Sequence, residues 1–259
     1  MLGTNPTSYG KIKVGVKSLD DATLNLGSIK NANRNLGDKR IILKALADND
    51  IPLLREISSY FFRTSGIYWR TCNYFATLYR YDWYIVPEIY DDTINPEKVI
   101  GDFSRILNYL DNSYIKKLCG EIALEVIKMG AYYGYIIENK DGLILQQLPV
   151  GYCRSRYNIG NMPAIEFNMR FFDDKFPDIS YRMKVLKMFP AEFAKGYILY
   201  KQNKLKNDEL DTSAGWYLLE PGNVIKFSLN NNDIPIFVNA CPAILDLDAA
   251  QDLDRRKQM

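Results

Sequence analysis

Apolar residues recur at helical spacing in the first half of the chain and change to strand spacing near residue 130. Between residues 53 and 79 they recur every three, four or seven positions, which marks one face of a helix. The residues of this stripe are Leu54, Ile57, Phe61, Tyr68, Cys72, Phe75 and Tyr79. Gly66 interrupts the stripe and predicts two helices that meet at a bend. A shorter helical pattern predicts another helix within residues 38–50.

Two more helices are predicted before the change of period. Asn95-Pro96 supplies an N-cap and a proline for the first turn. The buried face of that helix is expected to be Val99, Phe103, Ile106, Leu107 and Leu110. Ser113 is expected to cap the next helix, with its inward residues at Ile115, Leu118, Ile122, Val126 and Met129. Gly130 is placed to end it, and residues 81–89 predict a strand closed by Pro87.

Alternation of apolar and polar residues begins after Gly130. Residues 132–138 and 143–148 flank Asn139-Lys140-Asp141-Gly142, which predicts a hairpin. Residues 151–157 predict a further strand. Residues 165–171 predict another, with Ile165, Phe167, Met169 and Phe171 inward.

The last third of the chain mixes both periods. Residues 180–204 read as mostly helical with a break at Pro190, and residues 216–219 and 224–227 predict a second hairpin around a Pro-Gly turn. Together the patterns predict an α+β body over residues 38–242. In it, a helical N-terminal segment packs on a mainly antiparallel sheet built from residues 132–172 and 216–227.

The two ends of the chain differ from this body. Residues 1–37 have few apolar positions and predict an extended arm, with a loose terminus as the open alternative. In residues 243–259 aspartates occupy the first turns, where the helix dipole favours them, and no residue stops the helix before Met259. We expect this to be the start of a long helix that projects from the body and packs beside the same helix of neighbouring subunits. A frayed surface helix is the alternative.

Composition removes several classes of chemistry. The 259 residues contain no histidine, which takes away the commonest general base and metal ligand. Neither dinucleotide-binding nor P-loop glycine motifs are present, and no stretch is apolar enough to span a membrane. The opening residues lack a signal-peptide core. The four cysteines are scattered, so we expect free buried thiols in a reducing compartment.

Carboxylates are the remaining candidates for catalysis. Asp246, Asp248, Asp252 and Asp254 are closely spaced, and oxygen-rich clusters can hold Mg²⁺ for nuclease or nucleotidyl-transfer chemistry. Residues two apart on a helix point about 200° apart at 3.6 residues per turn, so Asp246 and Asp248 would not converge on one ion. The helix dipole, which favours acidic residues in the first turns, explains these aspartates better. Asp91-Asp92 and Asp173-Asp174 are expected in turns.

Basic residues form no long stripe of the kind that grips DNA. The chain has 33 basic and 31 acidic residues, a net charge of +2. Arg63 and Arg70 lie seven apart on one predicted face, which is either solvated or in contact with nucleic acid or a neighbouring subunit. Near-neutrality fits a protein that surrounds moving DNA, and it fits equally a protein that never meets DNA.

Several segments, in colinear order, resemble the portal proteins of tailed bacteriophages. LREISSYFFRTSGIYWRTCNYFATLYRYDWYIVPEI (54–89) is similar to their N-terminal helices and following strand. VIKMGAYYGYIIENKDGLILQQLPVGYCRSRY (126–157) is similar to their helix, hairpin and next strand. The segments AIEFNMRFFD (164–173), WYLLEPGNVIKF (216–227) and CPAILDLDAAQDL (241–253) follow in the expected order. Order and spacing carry the resemblance, which covers most of residues 40–255.

The resemblance implies a non-enzymatic ring subunit, usually of a dodecamer, at one capsid vertex of the virion, assembled in the host cytoplasm. Its implied partners are copies of itself, the major capsid protein, the terminase large subunit, head–tail adaptor and connector proteins, and double-stranded DNA passing through the channel. No cofactor, metal or membrane is implied. The stretch would form the wing and the start of the stem, whereas family members generally continue through the clip, the returning stem helix and the crown.

On this hypothesis some charged residues are candidates for the DNA channel or the subunit interface. They are Arg55, Arg63, Arg70, Asp246, Asp252, Arg255, Arg256 and Lys257. Two other functions remain open at this stage. One is a different virion collar or adaptor protein, and the other is a metal-dependent nuclease or nucleotidyl enzyme that uses the aspartates of residues 246–254.

Overall fold

A computed structural model describes residues 35–78, 96–112, 115–139, 142–203, 215–229 and 233–257, with the single residues 86 and 205. Within that part the fold is α+β, as predicted. The predicted strand at 81–89 (Val86 apart) lies outside the described residues, as do residues 1–34 of the predicted arm, Asn95 and Ser113.

Helices come first along the chain. They are α1 Lys39–Ala47, α2 Ile51–Thr64, α3 Gly66–Thr77, α4 Pro96–Asn112 and α5 Ile115–Met129. The strands that follow are β1 Ala131–Asn139, β2 Gly142–Leu148, β3 Cys153–Arg154, β4 Asn158–Ile159, β5 Met162–Pro163 and β6 Glu166–Asn168. The remaining elements are α6 Arg170–Lys175, α7 Ile179–Met188, α8 Ala191–Lys201, β7 Trp216–Leu218, β8 Val224–Ser228 and α9 Cys241–Lys257.

The predicted bend in the first long helical pattern is confirmed, and its cause is Ser65. This residue is extended, with φ −105° and ψ 114°, and its hydroxyl accepts a hydrogen bond from the Tyr68 amide at 3.3 Å. A serine in this role ends one helix and caps the next. Gly66 is therefore the first residue of α3, and the break between α2 and α3 lies one position earlier.

Helices α1, α2, α3 and α5 share an apolar interior with the start of α9, which we call the helical core. Its buried residues are Ile42, Ala45, Leu54, Ile57, Phe61, Tyr68, Cys72, Ala76, Ile127, Val238, Cys241 and Ile244. Five of the predicted stripe residues are thus buried. Phe75 is 45% exposed although its ring contacts Phe237, and Tyr79 lies outside the described residues.

Helix α4 differs from its prediction. Val99, Phe103, Leu107 and Leu110 are only half-buried, and Ile106 is 53% exposed. The expected buried face is therefore incomplete. Among the described elements α4 lies against α5 over a short stretch, and that contact does not cover an apolar stripe of this width.

The last turn of α5 joins the helices to the sheet. The last four carbonyls of a helix have no partner within it, and here each finds one. Gly130 N donates to Val126 O at 2.8 Å, and Ile236 N donates to Ile127 O at 3.2 Å. The Ser58 hydroxyl donates to Lys128 O at 2.6 Å, and Arg55 Nε donates to Met129 O at 2.9 Å. Three of these four donors come from α2 or from residues 233–236, so the junction binds distant segments together.

Gly130 ends α5, as predicted, with φ +83°. A Cβ at this position would lie 2.1 Å from the carbonyl oxygen of Asp233. That carbonyl also accepts from Arg55 Nη2 at 3.2 Å, and the Asp233 carboxylate pairs with Lys226 at 2.8 Å. Glycine is therefore required here both for the backbone conformation and for the close approach of residue 233.

The predicted hairpin of β1 and β2 is confirmed, with Asn139 opposite Gly142. The other predicted hairpin is wrong. Strand β8 pairs with β1 in a sheet of order β2-β1-β8, whereas β7 pairs with β6 in a sheet of order β3-β6-β7. The turn between β7 and β8 is bound to α8. The Glu192 carboxylate accepts a hydrogen bond from the Glu220 amide at 2.7 Å and another from the Tyr135 hydroxyl of β1 at 2.6 Å.

Two predicted strands are shorter than expected. Residues 150–152 form a 3₁₀ turn, so β3 covers only Cys153–Arg154. Strand β6 ends at Asn168, whose side chain accepts from the Arg170 amide at 3.0 Å and starts α6. Phe171 and Phe172 are consequently both buried, which neighbouring residues of a one-sided strand could not be. Asp173 and Asp174 lie on α6 and not in a turn.

The sheets and helices α6–α8 enclose a second apolar interior, which we call the sheet core. Aromatic rings dominate it, including Phe167, Phe171, Phe172 and Phe193. The ring centroids of Phe167 and Phe193 are 5.2 Å apart at an edge-to-face angle of 78°. The predicted helix of residues 180–204 is confirmed as α7 and α8, which separate at Pro190.

Substituting Gly130 tests the junction. We expect Gly130→Ala to lower the free energy of unfolding by about 2 kcal/mol or more, because alanine is strained at positive φ and its methyl would meet a backbone carbonyl. The midpoint temperature of thermal unfolding should fall by roughly 5 °C. Gly151→Ala is the control, since nothing lies within 4 Å of its added Cβ. Equal stability of the two variants would contradict the role of the junction.

Thiol reactivity tests the burial of the cores. Cys72, Cys153 and Cys241 are buried, whereas Cys119 is exposed on α5, contrary to the prediction that all four are buried. Burial raises the pKa of Cys72 to about 11 and that of Cys241 to about 12. We expect one thiol per chain to react quickly with a disulfide reagent at pH 8, and all four in urea. The Cys119→Ser variant should show no fast phase of labelling. Fast labelling in this variant would show that at least one of the other three cysteines is accessible to the reagent, which would contradict their burial.

Candidate assembly surface

Helix α9 is anchored by its first turn and exposed beyond it. It begins at Cys241, two residues before the predicted start. Cys241, Pro242 and Ile244 are buried, and Cys241 and Ile244 belong to the helical core. Every described residue from Asp246 to Lys257 is exposed. The helix does not fold back onto the sheets, because its buried residues contact the helical core.

The aspartates of α9 do not converge. Asp246 forms a salt bridge with Lys39 on α1 at 2.7 Å, and Asp252 lies 3.8 Å from Arg255. Among the residues that the structure describes, no three histidine, cysteine or acidic side chains gather where they could hold a metal ion. Arg255, Arg256 and Lys257 are exposed in the last turn, where cations complement the helix dipole.

The arginines of α2 and α3 occupy two kinds of position. Arg55 is half-buried and donates to the carbonyls of Met129 and Asp233 within its own chain. Burial lowers the pKa of its guanidinium, and Tyr133 and Asp233 partly oppose that effect. Arg55 therefore has two acceptors in its own chain, and its role at the subunit interface stays a prediction. Arg63 and Arg70 are exposed, on different helices.

The outer face of α3 is exposed and carries large apolar side chains beside an arginine. Ile67, Arg70, Tyr74 and Leu78 recur at helical spacing along it, and we call these four residues the α3 face. The exposed fractions of Ile67 and Tyr74 are 48% and 62%. Tyrosine, tryptophan and arginine are enriched where protein surfaces bind one another, so this face has the composition of an interface.

A buried ion-pair cluster ties β3 to β6 and was missed from the sequence. Glu166 is 7% exposed, and Arg154 Nε donates to its carboxylate at 2.6 Å, while Arg156 donates to both carboxylate oxygens at 3.2 Å. The guanidinium of Arg154 also stacks over Trp216 at 3.9 Å. Alternation along residues 165–171 had placed Glu166 outward, because a pattern of apolar positions cannot reveal a charge neutralised inside.

A second cluster ties α6, α7 and α8 together through Asp173. Its carboxylate accepts from Arg182, from the Tyr197 hydroxyl at 2.8 Å and from Lys201 at 2.6 Å. Arg182 also donates to the carbonyls of Phe176 and Pro177. Burial alone would raise the pKa of Asp173, but the hydrogen bonds from Lys201 and Tyr197 outweigh it and hold the pKa below its usual value.

Asp173→Asn tests this second cluster. We expect the free energy of unfolding to fall by about 2 kcal/mol at pH 7, because the charged hydrogen bonds to Arg182 and Lys201 weaken. The pKa of Asp173 is lowered in the folded protein, so its contribution is present above the unfolded pKa of about 4. This contribution to stability is lost as pH falls through the pKa of Asp173 in the folded protein. The difference in free energy of unfolding between wild type and variant should therefore become smaller at low pH.

The measurement is urea unfolding of both proteins between pH 7 and pH 3. Asp254→Asn, an exposed change on α9, is the control and should stay within about 0.5 kcal/mol of wild type. A difference for Asp173→Asn that does not depend on pH would show that the carboxylate charge is not the cause.

Comparisons with known proteins identify no relative. The sequence matches no protein-family model and no curated protein, and the fold matches no solved structure. In the part of the chain that the structure covers, no helix combines the length and the apolar character needed to cross a membrane.

Proposed function

We propose that this chain is a subunit of a phage portal ring, which forms the conduit for DNA packaging and ejection at a capsid vertex. On this proposal the chain performs no chemistry of its own. It docks the terminase during packaging and head–tail connector proteins afterwards, and it contacts the major capsid protein. The support comes from the colinear resemblance over residues 40–255 and from two exposed surfaces, the α3 face and α9.

Helix α9 is the observation that carries the proposal. It holds 17 residues, of which only the first turn is covered. A helix this short with so little apolar surface is marginal by itself in water. Neighbouring copies of the chain would supply the missing contacts, and a helix that projects from a wing-like body is what the start of a portal stem requires.

The charge of α9 also fits a conduit. Asp246, Asp248, Asp252 and Asp254 precede the basic residues of the last turn. Basic groups that contact DNA phosphates release counterions and so increase affinity for DNA. Carboxylates that face DNA make no such contacts, and adhesion to DNA is therefore weaker. A channel through which DNA moves benefits from weak adhesion, and the near-neutral charge of the whole chain agrees with this.

Oligomeric mass is the decisive measurement. We expect the 259-residue chain to form a closed ring of many copies in native mass spectrometry and in sedimentation velocity, because each subunit presents different surfaces to its two neighbours. A collar or adaptor ring would differ in copy number. A chain that stays monomeric at every accessible concentration would overturn the portal proposal.

The α3 face provides a variant for the same measurement. We expect Ile67→Ser/Tyr74→Ser to weaken assembly by about tenfold or more, since a buried interface anchor contributes upwards of about 1 kcal/mol. Both residues are exposed in the single chain, so its thermal unfolding should hardly change. Leu43→Ser/Leu218→Ser, which removes exposed apolar side chains elsewhere, is the control. Equal assembly of the two variants would exclude the α3 face from the interface.

A further inference from the structure

Two lysines lie at the centre of the outward side of α7. The helix buries Val185 and Leu186 in the sheet core. Successive residues of a helix are turned by about 100°, which places Lys184 and Lys187 on the opposite side, about 60° apart. Both lysines are exposed, and within the part of the chain that the structure describes neither has an ion-pair partner.

Apolar side chains flank the two lysines on both sides. One rim consists of Ile179 and Met183, and the other consists of Tyr181 and Met188. Each lies within about 80° of the nearer lysine around the helix. These four residues are between 47% and 72% exposed. We call the lysines and the two rims together the α7 face: Ile179, Tyr181, Met183, Lys184, Lys187 and Met188.

Carboxylates on and around α7 are engaged elsewhere. Helix α7 itself contains no acidic residue, and Asp178 caps it by accepting from the Ser180 amide. Asp173 and Asp174 of α6 pair with basic residues of α6, α7 and α8. Glu192 of α8 accepts from a backbone amide and a tyrosine hydroxyl. The helices that pack with α7 therefore leave the positive charge of the α7 face unneutralised.

The order of residues across the α7 face disfavours a lipid surface. A helix that lies on a membrane buries an apolar stripe and keeps its lysines on the opposite, polar side. On α7 the lysines occupy the centre, between the two apolar rims. Insertion of both rims would carry the ammonium groups of Lys184 and Lys187 towards the lipid chains.

Nucleic acid fits the apolar rims poorly. Affinity for phosphates comes from the counterions that basic residues displace, and two lysines displace few. The rims would lie against a charged backbone, where methionine and isoleucine gain little from burial.

An acidic amphipathic helix matches the centre and the rims together. Carboxylates three or four positions apart lie on one face of a helix and can pair with Lys184 and Lys187, which are themselves three positions apart. Apolar residues on both sides of those carboxylates can cover the rims. Met183 and Met188 are flexible and adapt to the shape of a partner. Charge complementarity then orients the partner, and apolar burial adds affinity.

We infer that the α7 face is the docking site for an acidic amphipathic helix of another protein. The inference goes beyond the proposed portal function and does not depend on it, because all residues of the α7 face belong to one helix of a single chain.

Peptide titration tests the inference in the full chain. The probe is a fluorescein-labelled synthetic helix, about five turns long, with glutamates along the centre of one face and leucines on both sides. We expect fluorescence anisotropy to show saturable binding at 0.05 M NaCl, where surface charges are little screened. K184E/K187E should weaken this binding at least tenfold. No saturable binding to the wild-type chain would overturn the inference.

Two controls show whether the charges act at this surface. K44E/K98E makes the same change of charge on α1 and α4 and should bind the peptide as wild type does. A matched peptide with lysines in place of the glutamates should bind K184E/K187E more tightly than wild type. Circular dichroism checks that each variant remains folded. Equal loss of binding in K44E/K98E and K184E/K187E would show a general charge effect and contradict the inference.

The apolar rims have a test of their own. We expect Met183→Ser/Met188→Ser to weaken binding of the acidic peptide by about fivefold or more, as for interface side chains that contribute about 1 kcal/mol. The dependence of binding on NaCl concentration should stay as in wild type, because both lysines remain. Unchanged affinity in this variant would show a cationic patch without apolar recognition and overturn the inference.

Other occupants of the α7 face are distinguished by parallel titrations. The wild-type chain and K184E/K187E are titrated with phosphatidylserine vesicles and with double-stranded DNA. If either binds wild type more tightly than the peptide does and loses that binding in K184E/K187E, the face belongs to that partner and the inference is overturned. Self-association that K184E/K187E abolishes would assign the face to a second copy, with the same consequence. The proposed function is judged separately, by the oligomeric mass of the wild-type chain.

Discussion

The end of α5 is the point on which the rest of the structure depends. Four carbonyls at the end of a helix must find donors or lose the stabilisation of hydrogen bonding on burial. Here the donors come from Gly130, Ile236, Ser58 and Arg55. Satisfying one helix end therefore fixes α2, the segment before α9 and Gly130, which precedes β1, in a single arrangement. The helical core and the sheet core meet there, and residue 130 has to be glycine for them to do so.

Local patterns predicted most of the elements, because the forces behind them are local. Ser65 and Gly130 act on their own neighbours, and the Asn139–Gly142 turn needs only four residues. The errors arose where a distant group decides. Strands β7 and β8 separate because Glu192 holds their connection, and Glu166 turns inward because Arg154 and Arg156 neutralise it. A short window of sequence does not reveal a partner that is ten or more residues away.

The candidate surface was only partly foreseeable for the same reason. Arg70 and the basic end of α9, which are candidates for the channel or the subunit interface, are exposed in the structure, and that proposed role stays a prediction. Arg55 was not distinguishable from them by spacing, although it donates to two internal carbonyls.

The exposed length of α9 makes the helix a lever. Twelve residues beyond the anchored turn extend about 18 Å at 1.5 Å per residue. Displacing the tip sideways by about 5 Å would tilt such a helix by roughly 15°. The pair of Lys39 and Asp246 is exposed and offers little resistance. The torque therefore falls on the buried first turn, where Cys241 and Ile244 belong to the helical core, so a load on the tip of α9 is transmitted to that core.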